Sequence, residues 1–297
     1  MVVSRMDLAD ASSPDKLVSL ILKLEPKLAP PIPIRELCKQ LDIIDICARD
    51  LGGFEGGLIT DTDRSDGIII HREDRSEERN RFTIGHELGH FLMPHHVPDK
   101  QGQFLCSSKD LATLSKQEGD RRAQMEFEAN RFASLVLVPP PILRKCPDFN
   151  REPDLDRLRK LAKDFCVSKD VMARAYADYH EHEIAAVLVK DGIIQRFYRN
   201  ASKFPFVTAK LKAPVPVGSM FRKHQHQVGV ISDVQTCIPE NWIDTDSFRK
   251  TPELFEQVMW QREGYAMILL TLIRPDEDEE DEERQIERNW HVGFRKR

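Results

Sequence analysis

The stretch Arg81-Phe82-Thr83-Ile84-Gly85-His86-Glu87-Leu88-Gly89-His90-Phe91-Leu92 decides how this chain is read. Ser76 is placed to cap a helix running from about Glu77 to Leu92, and Pro94 stops it. On a helix residues four apart share a face, so His86 and His90 of this H-E-x-x-H pattern can reach one ion. Glu87 sits one position along, where its carboxylate can take a proton from water that the ion has made acidic; zinc lowers that pKa to ~7. Phe82, Ile84, Leu88, Phe91 and Leu92 supply the apolar faces that would hold the ligands at a fixed depth. Chance would produce such a pattern in only about three per hundred chains of this size and histidine content. A metal site is therefore the better explanation than coincidence.

A catalytic zinc takes three protein ligands and keeps one position open. The residues after His90 are Phe91-Leu92-Met93-Pro94-His95-His96, which excludes the H-E-x-x-H-x-x-G-x-x-H spacing of the metzincins. The third ligand is better sought on the next long helix, expected from about Asp120 to Val136 and closed by Pro139 to Pro141. Its buried side is marked by Met125, Ala129, Phe132, Ala133 and Val136, and Glu126 and Glu128 flank that side almost symmetrically. Asn130 lies one turn from Glu126 and offers a ligating carboxylate an amide neighbour, so Glu126 is favoured, with Glu128 as the alternative. For the oxyanion donor, His71, His95 and His96 are candidates, although exposed histidines outside the chemistry are the preferred reading of them. His224 and His226 read as loop residues.

Outward from this centre, helical spacing covers residues 16–24 and 33–41, and two strands at 56–60 and 67–71 should form a hairpin over the polar turn 61–66. A polar loop containing Gln101, Cys106 and Gly119 separates the two site helices. Residues 154–179 read as helix, turn, helix, but seven Lys or Arg face seven Asp or Glu between Arg151 and His182, so packing is expected rather than DNA contact. Strands at 184–189 and 193–198 flank Asp191-Gly192, a strong hairpin signal. Further strands are expected at 206–211, 228–232 and 264–273, and a helix near Pro252 to Trp260. The fold class is α+β. The expected boundaries are a metal-site domain over 1–150, a helical connector over 151–182, a sheet-rich α+β domain over 183–274 and an acidic tail over 275–297.

Composition narrows the function classes. A hydrophobic share of 40% and a charged share of 31% describe a globular protein, and no apolar run approaches the ~20 residues that span a bilayer. The amino terminus lacks the apolar stretch of a secretory signal, which implies the cytoplasm. The six cysteines are scattered without a C-x-x-C pair, so neither a disulfide framework nor a thiolate zinc site is expected. Net charge is −5, and the eight consecutive acids from Asp276 to Glu283 leave +3 for the remainder, too little for a nucleic-acid surface. That acidic run reads as a solvated, disordered tail.

The chain resembles the ImmA/IrrE family of metallopeptidases, whose pattern is similar to the block from Arg81 to Leu92 followed by Glu126-Phe127-Glu128-Ala129-Asn130-Arg131-Phe132-Ala133 and Pro139. The resemblance covers the first half of the chain and holds more loosely beyond it. It implies a zincin-like domain, a helix bearing the motif beside a small sheet, with Zn2+ bound by His86, His90 and Glu126 and with Glu87 as general base. It further implies an endopeptidase that cuts a helix-turn-helix transcriptional repressor in response to stress. Gly85 in place of the usual alanine and Val138-Pro139 in place of Met-Pro are departures that touch no ligand. The competing expectation is a non-catalytic regulatory or ligand-sensing protein with a structural metal, which would have no use for Glu87 beside the ion.

Overall fold

The computed structural model describes residues 1–61, 63–98, 103–112, 120–223, 227–246 and 248–274. The expected acidic tail, Gln101, Gly119, His224 and His226 lie outside them. The described residues form, in order, α1 (Arg5–Leu8), α2 (Pro14–Leu24), α3 (Ile34–Gln40), β1 (Ile43–Arg49), β2 (Phe54–Thr60), β3 (Gly67–Arg72), α4 (Glu77–Leu92), β4 (Gln103–Ser107), α5 (Arg121–Leu137) and α6 (Pro140–Leu143). They continue with α7 (Leu155–Asp164), α8 (Lys169–Tyr179), β5 (Glu183–Lys190), β6 (Ile193–Arg199), α9 (Met220–Lys223), β7 (Gln235–Cys237), β8 (Glu253–Trp260) and β9 (Tyr265–Ile273). Two compact units result: Met1–Glu152 with Asp156–His180, and Pro153–Leu155 with the described residues from Glu181 onward. The helical pair expected as a connector thus groups, over 156–180, with the first unit. Among the described residues no helix is long and apolar enough to cross a membrane.

The first unit is built on a four-stranded sheet in the order β1-β3-β2-β4. The expected hairpin is present, with Gly56 opposite His71 and Thr60 opposite Gly67. Two further strands occupy positions where the sequence suggested none. β1 runs parallel to β3, and β4 lies antiparallel to β2 in what was read as the polar loop around Cys106. In β4 the alternation was too short to stand out, yet Phe104 and Cys106 both turn inward and are buried.

The motif helix α4 begins at Ser76, whose side chain accepts from the Arg79 amide. It is buried on almost all sides after its first turn, because it lies between the sheet and α5. Two features permit that depth. A Cβ on Gly89 would come within 3.1 Å of the Phe132 ring and 3.3 Å of Ala129 Cα, so the bare backbone lets α4 and α5 approach closely. Arg81, 7% exposed, donates to the carbonyls of Ile32 at 2.7 Å and Cys166 at 3.1 Å, tying α4 to the chain before α3 and to the α7–α8 turn. At the other end Arg64 donates to the His90 and Met93 carbonyls at 3.2 and 2.9 Å, satisfying acceptors that a helix terminus leaves open.

The second unit holds a five-stranded antiparallel sheet in the order β6-β5-β9-β8-β7. Asp191 and Gly192 join β5 to β6 with φ of 50° and 74°, the positive pair that suits a tight hairpin. The helix expected near Pro252 to Trp260 is instead β8. Its short mixed sequence, with Glu256 and Gln257 between apolar residues, fits a helix or a strand equally well, and pairing on both sides, with β7 and β9, makes it a strand. The strands expected at 206–211 and 228–232 are reduced to single bridges, Val207 with Ile243 and Ile231 with Met259. Phe206, Leu211 and Val228 there are solvent-exposed, so alternation alone recruited no partner strand.

Candidate active site

The two site helices bring together what the sequence placed 40 residues apart. His86 and His90 project from one face of α4, with their Nε2 atoms 3.0 Å from each other. Glu126 enters from α5, its Oε2 3.2 Å from His86 Nε2 and 3.5 Å from His90 Nε2. Cys106 arrives from β4, its Sγ 3.3 Å from His86 Nε2 and 3.8 Å from His90 Nε2. One ligand atom from each of these four residues lies within 4.8 Å of all the others, and all four are buried. Two imidazole nitrogens and a carboxylate gathered this closely, away from water, form a group that could hold a metal ion. This nitrogen and oxygen donor set, with a thiol beside it, suits a divalent transition metal such as zinc.

Each imidazole is held from behind. His86 Nδ1 is 2.9 Å from Asn130 Oδ1, and Asn130 is oriented by its own Nδ2 donating to the Asp110 carbonyl at 2.8 Å. The amide thus supports His86, not Glu126 as the helix spacing suggested. His90 stacks on Phe104 at 4.8 Å and meets His96 on its far side.

Glu87 is wholly buried beside this group, and apart from the Cys106 thiol near it neither carboxyl oxygen has a hydrogen-bond partner. Burial is the main reason its carboxyl rises to about 7, against the opposing charge of His86. Burial opposes the ionised form of Glu126 too, but the polar and charge interactions with His86 and His90 beside it hold its carboxyl well below the usual range. Burial also pulls His86 down; its interactions with the carboxyls of Glu126 and Glu87 outweigh that and leave it raised. His90 falls to about 4, chiefly through burial. Burial pushes the Cys106 thiol well up, with Glu87 and Glu126 adding to it.

The remaining candidates fall elsewhere. Glu128 lies outside the four-donor group and contacts His95 and His96. His71 is buried, with Nδ1 3.0 Å from the Arg72 carbonyl, and joins neither donor group. His96 is fully buried rather than a loop surface residue, whereas the His95 side chain is 40% exposed. Cys106 is the residue that sequence reasoning missed, and the Phe104-x-Cys106 alternation was the one signal for it; His96, a candidate oxyanion donor by sequence, stands instead behind His90.

Residues 38–176 match the family model Peptidase_M78, described as the IrrE N-terminal-like domain. That segment, running from α3 through most of α8, is therefore an ImmA/IrrE-type metallopeptidase domain of zincin-like fold. No curated protein matches the chain. Among solved structures, a Mycobacterium tuberculosis transcriptional regulator is similar at 13% identity, with a TM-score of 0.54, over 88% of this chain and 87% of that one. At that identity the likeness concerns the fold alone.

Proposed function

We propose that this chain is a zinc-dependent endopeptidase acting in the cytoplasm on a helix-turn-helix transcriptional repressor, with His86, His90 and Glu126 holding the metal and Glu87 as general base. The observation that carries the reading is the buried convergence of three donors beside a carboxyl with no hydrogen-bonding nitrogen or oxygen partner. A divalent ion held there would supply Lewis-acid chemistry, polarising the scissile carbonyl and making water acidic. Glu87 is the group that would accept a proton from the attacking water and return it to the leaving amine. His86 and His90 keep their orientation because Asn130 and His96 hold the ring edges that face away from the centre. Burial of all these groups excludes bulk water and strengthens each interaction. The repressor is proposed from the family resemblance, since the site's chemistry specifies a peptide bond and not its owner.

Purified protein should carry one zinc per chain, and Glu87→Gln should keep that zinc while leaving a co-expressed repressor uncut. Cleavage by the Gln variant at the wild-type rate would rule out Glu87 as the base. Glu126→Ala should deplete the metal and Glu128→Gln should retain most of it. The opposite pattern would transfer the ligand role. A second reading, a closed structural site, is favoured by Cys106, whose sulfur stands at fourth-ligand distance. Cys106→Ala separates the two: a catalytic site keeps its zinc and its cleavage, whereas a closed one loses metal.

A further inference from the structure

Behind His90 runs a buried chain of polar contacts that the mechanism above leaves unexplained. His90 Nδ1 is 2.9 Å from His96 Nδ1, and His96 Nε2 is 3.1 Å from Glu128 Oε2. Glu128 is itself held by Gln124, which donates to its Oε1 at 2.9 Å, and by His95, whose Nε2 is 2.6 Å from Oε2. The turn that follows α4 delivers His96, whose amide donates to the Met93 carbonyl at 3.0 Å.

Proton counting decides how this chain is wired. A neutral imidazole carries one N–H, and a carboxylate only accepts. His96 must therefore present Nε2–H to Glu128, which leaves its Nδ1 as an acceptor. The link to His90 then requires that His90 donate from Nδ1, so the His90 lone pair lies on Nε2, the atom that faces His86 and Glu126. His86 is fixed in the same sense by Asn130, because the Asn130 Nδ2 is committed to the Asp110 carbonyl and only its oxygen can face His86. Resting on the metal-site reading above, we infer that His96 and Glu128 are positioning residues. They form a Glu128–His96–His90 relay that locks His90 in the Nδ1–H tautomer and aims its free lone pair at the ion.

The same wiring bears on the neighbouring group of His95, His96 and Glu128, which also has the composition of a metal site. An ion bound to His96 Nε2 would move the His96 proton to Nδ1, turn His90 Nδ1 into an acceptor and leave His90 Nε2 protonated toward the first site. Both sites cannot be filled together. The contacts of 2.6 and 3.1 Å onto a single Glu128 oxygen are hydrogen bonds, and the chain should hold one ion rather than two.

The test is zinc affinity of the full chain, measured by competition with a chromophoric chelator, with zinc alone as the probe. His96→Leu removes both links and should weaken binding by about 10- to 100-fold. His96→Asn places an oxygen near the lost Nδ1, can accept from His90 and should recover most of that loss, which filling space alone would not do. His95→Leu removes a contact to Glu128 and an edge-on ring contact with His96 but neither link of the relay, and should stay within about threefold of wild type. His96→Leu binding as tightly as wild type overturns the relay, and so does simultaneous binding of two zinc ions by the wild-type chain. A folded wild-type chain that binds no zinc overturns the metal-site reading itself and the relay with it. Long-range 1H–15N spectra of metal-free wild-type protein give the His90 tautomer without any substitution. Nδ1–H is the expected result, and Nε2–H overturns the relay even where a His96 variant fails to fold.

Discussion

Gly56 offers the sharpest check on how the motif helix is seated. An ideal Cβ built on Gly56 would stand 2.2 Å from Thr83 Cγ2, 3.2 Å from Glu87 Oε1 and 3.2 Å from the Ile70 carbonyl. Carbon atoms in contact rest at about 3.5–4.0 Å, so Gly56→Ala demands a displacement of about 1.3 Å or more. Neither side gives way easily. β2 is hydrogen-bonded on both edges, with Gly56 opposite His71 on one strand and Cys106 on the other, and α4 is packed against α5 behind. Thr83 has few alternative rotamers on a helix. Overpacking of this kind costs about 1–3 kcal/mol, and the rigid neighbours place Gly56→Ala in the upper half of that range. At roughly 2–4 °C per kcal/mol for a domain of this size, calorimetry of the full chain should show a fall of about 4–12 °C. Adding Thr83→Ser removes the methyl that is struck and should recover about half of the loss, the Ile70 carbonyl contact accounting for the rest. A Gly56→Ala midpoint within about 1 °C of wild type, or no recovery on adding Thr83→Ser, would refute this seating.

Two further expectations concern charges outside the chemistry. Glu55 is 2% exposed and accepts from Arg75 at 3.0 Å on each oxygen and from Ser108 at 2.6 Å, with Arg79 at 3.1 Å. Burial opposes its ionised form, but these donors bring its carboxyl down to about 2. A depressed carboxyl adds stability above its unfolded value of ~4.3, and that stability is lost as pH falls from there through the folded value. Glu55→Gln should therefore cost about 1.5–3 kcal/mol at neutral pH in urea unfolding, with the gap to wild type closing toward pH ~2; a gap that stays constant with acidification contradicts the assignment. Arg81→Leu strands the buried carbonyl of Ile32 and the half-buried one of Cys166 and should lower stability by roughly 2–4 kcal/mol, seen as a shifted urea midpoint at unchanged slope. Arg81→Lys should recover little, since one ammonium does not reproduce the guanidinium fork; full recovery would show that charge alone matters there.

Local pattern was enough to place His86, Glu87 and His90 on one helix and Glu126 on another, because a 3.6-residue period orders a face without reference to anything distant. The same is true of the two hairpins, where the polar turn at 61–66 and Asp191-Gly192 specify short-range pairing. What lay beyond reach depended on which faces meet. Glu126 and Glu128 flank α5 almost symmetrically in sequence, and only the angle at which α5 crosses α4 sends one to the histidine pair and the other to His95 and His96. Asn130 was assigned to the wrong neighbour for the same reason. β8 differs from the expected helix because its short mixed sequence, interrupted by Glu256 and Gln257, follows neither period cleanly until β7 and β9 claim its edges. Cys106 and His96 carry no spacing to the motif at all; a strand edge and a proline-led turn bring them in, through contacts between segments that have no pattern in common. The sequence by itself determined the chemistry available at the centre and the helices that bear it, while the tertiary structure decided which side chains stand behind each ligand, because that choice is made by packing across distant segments and not by the residues beside the motif.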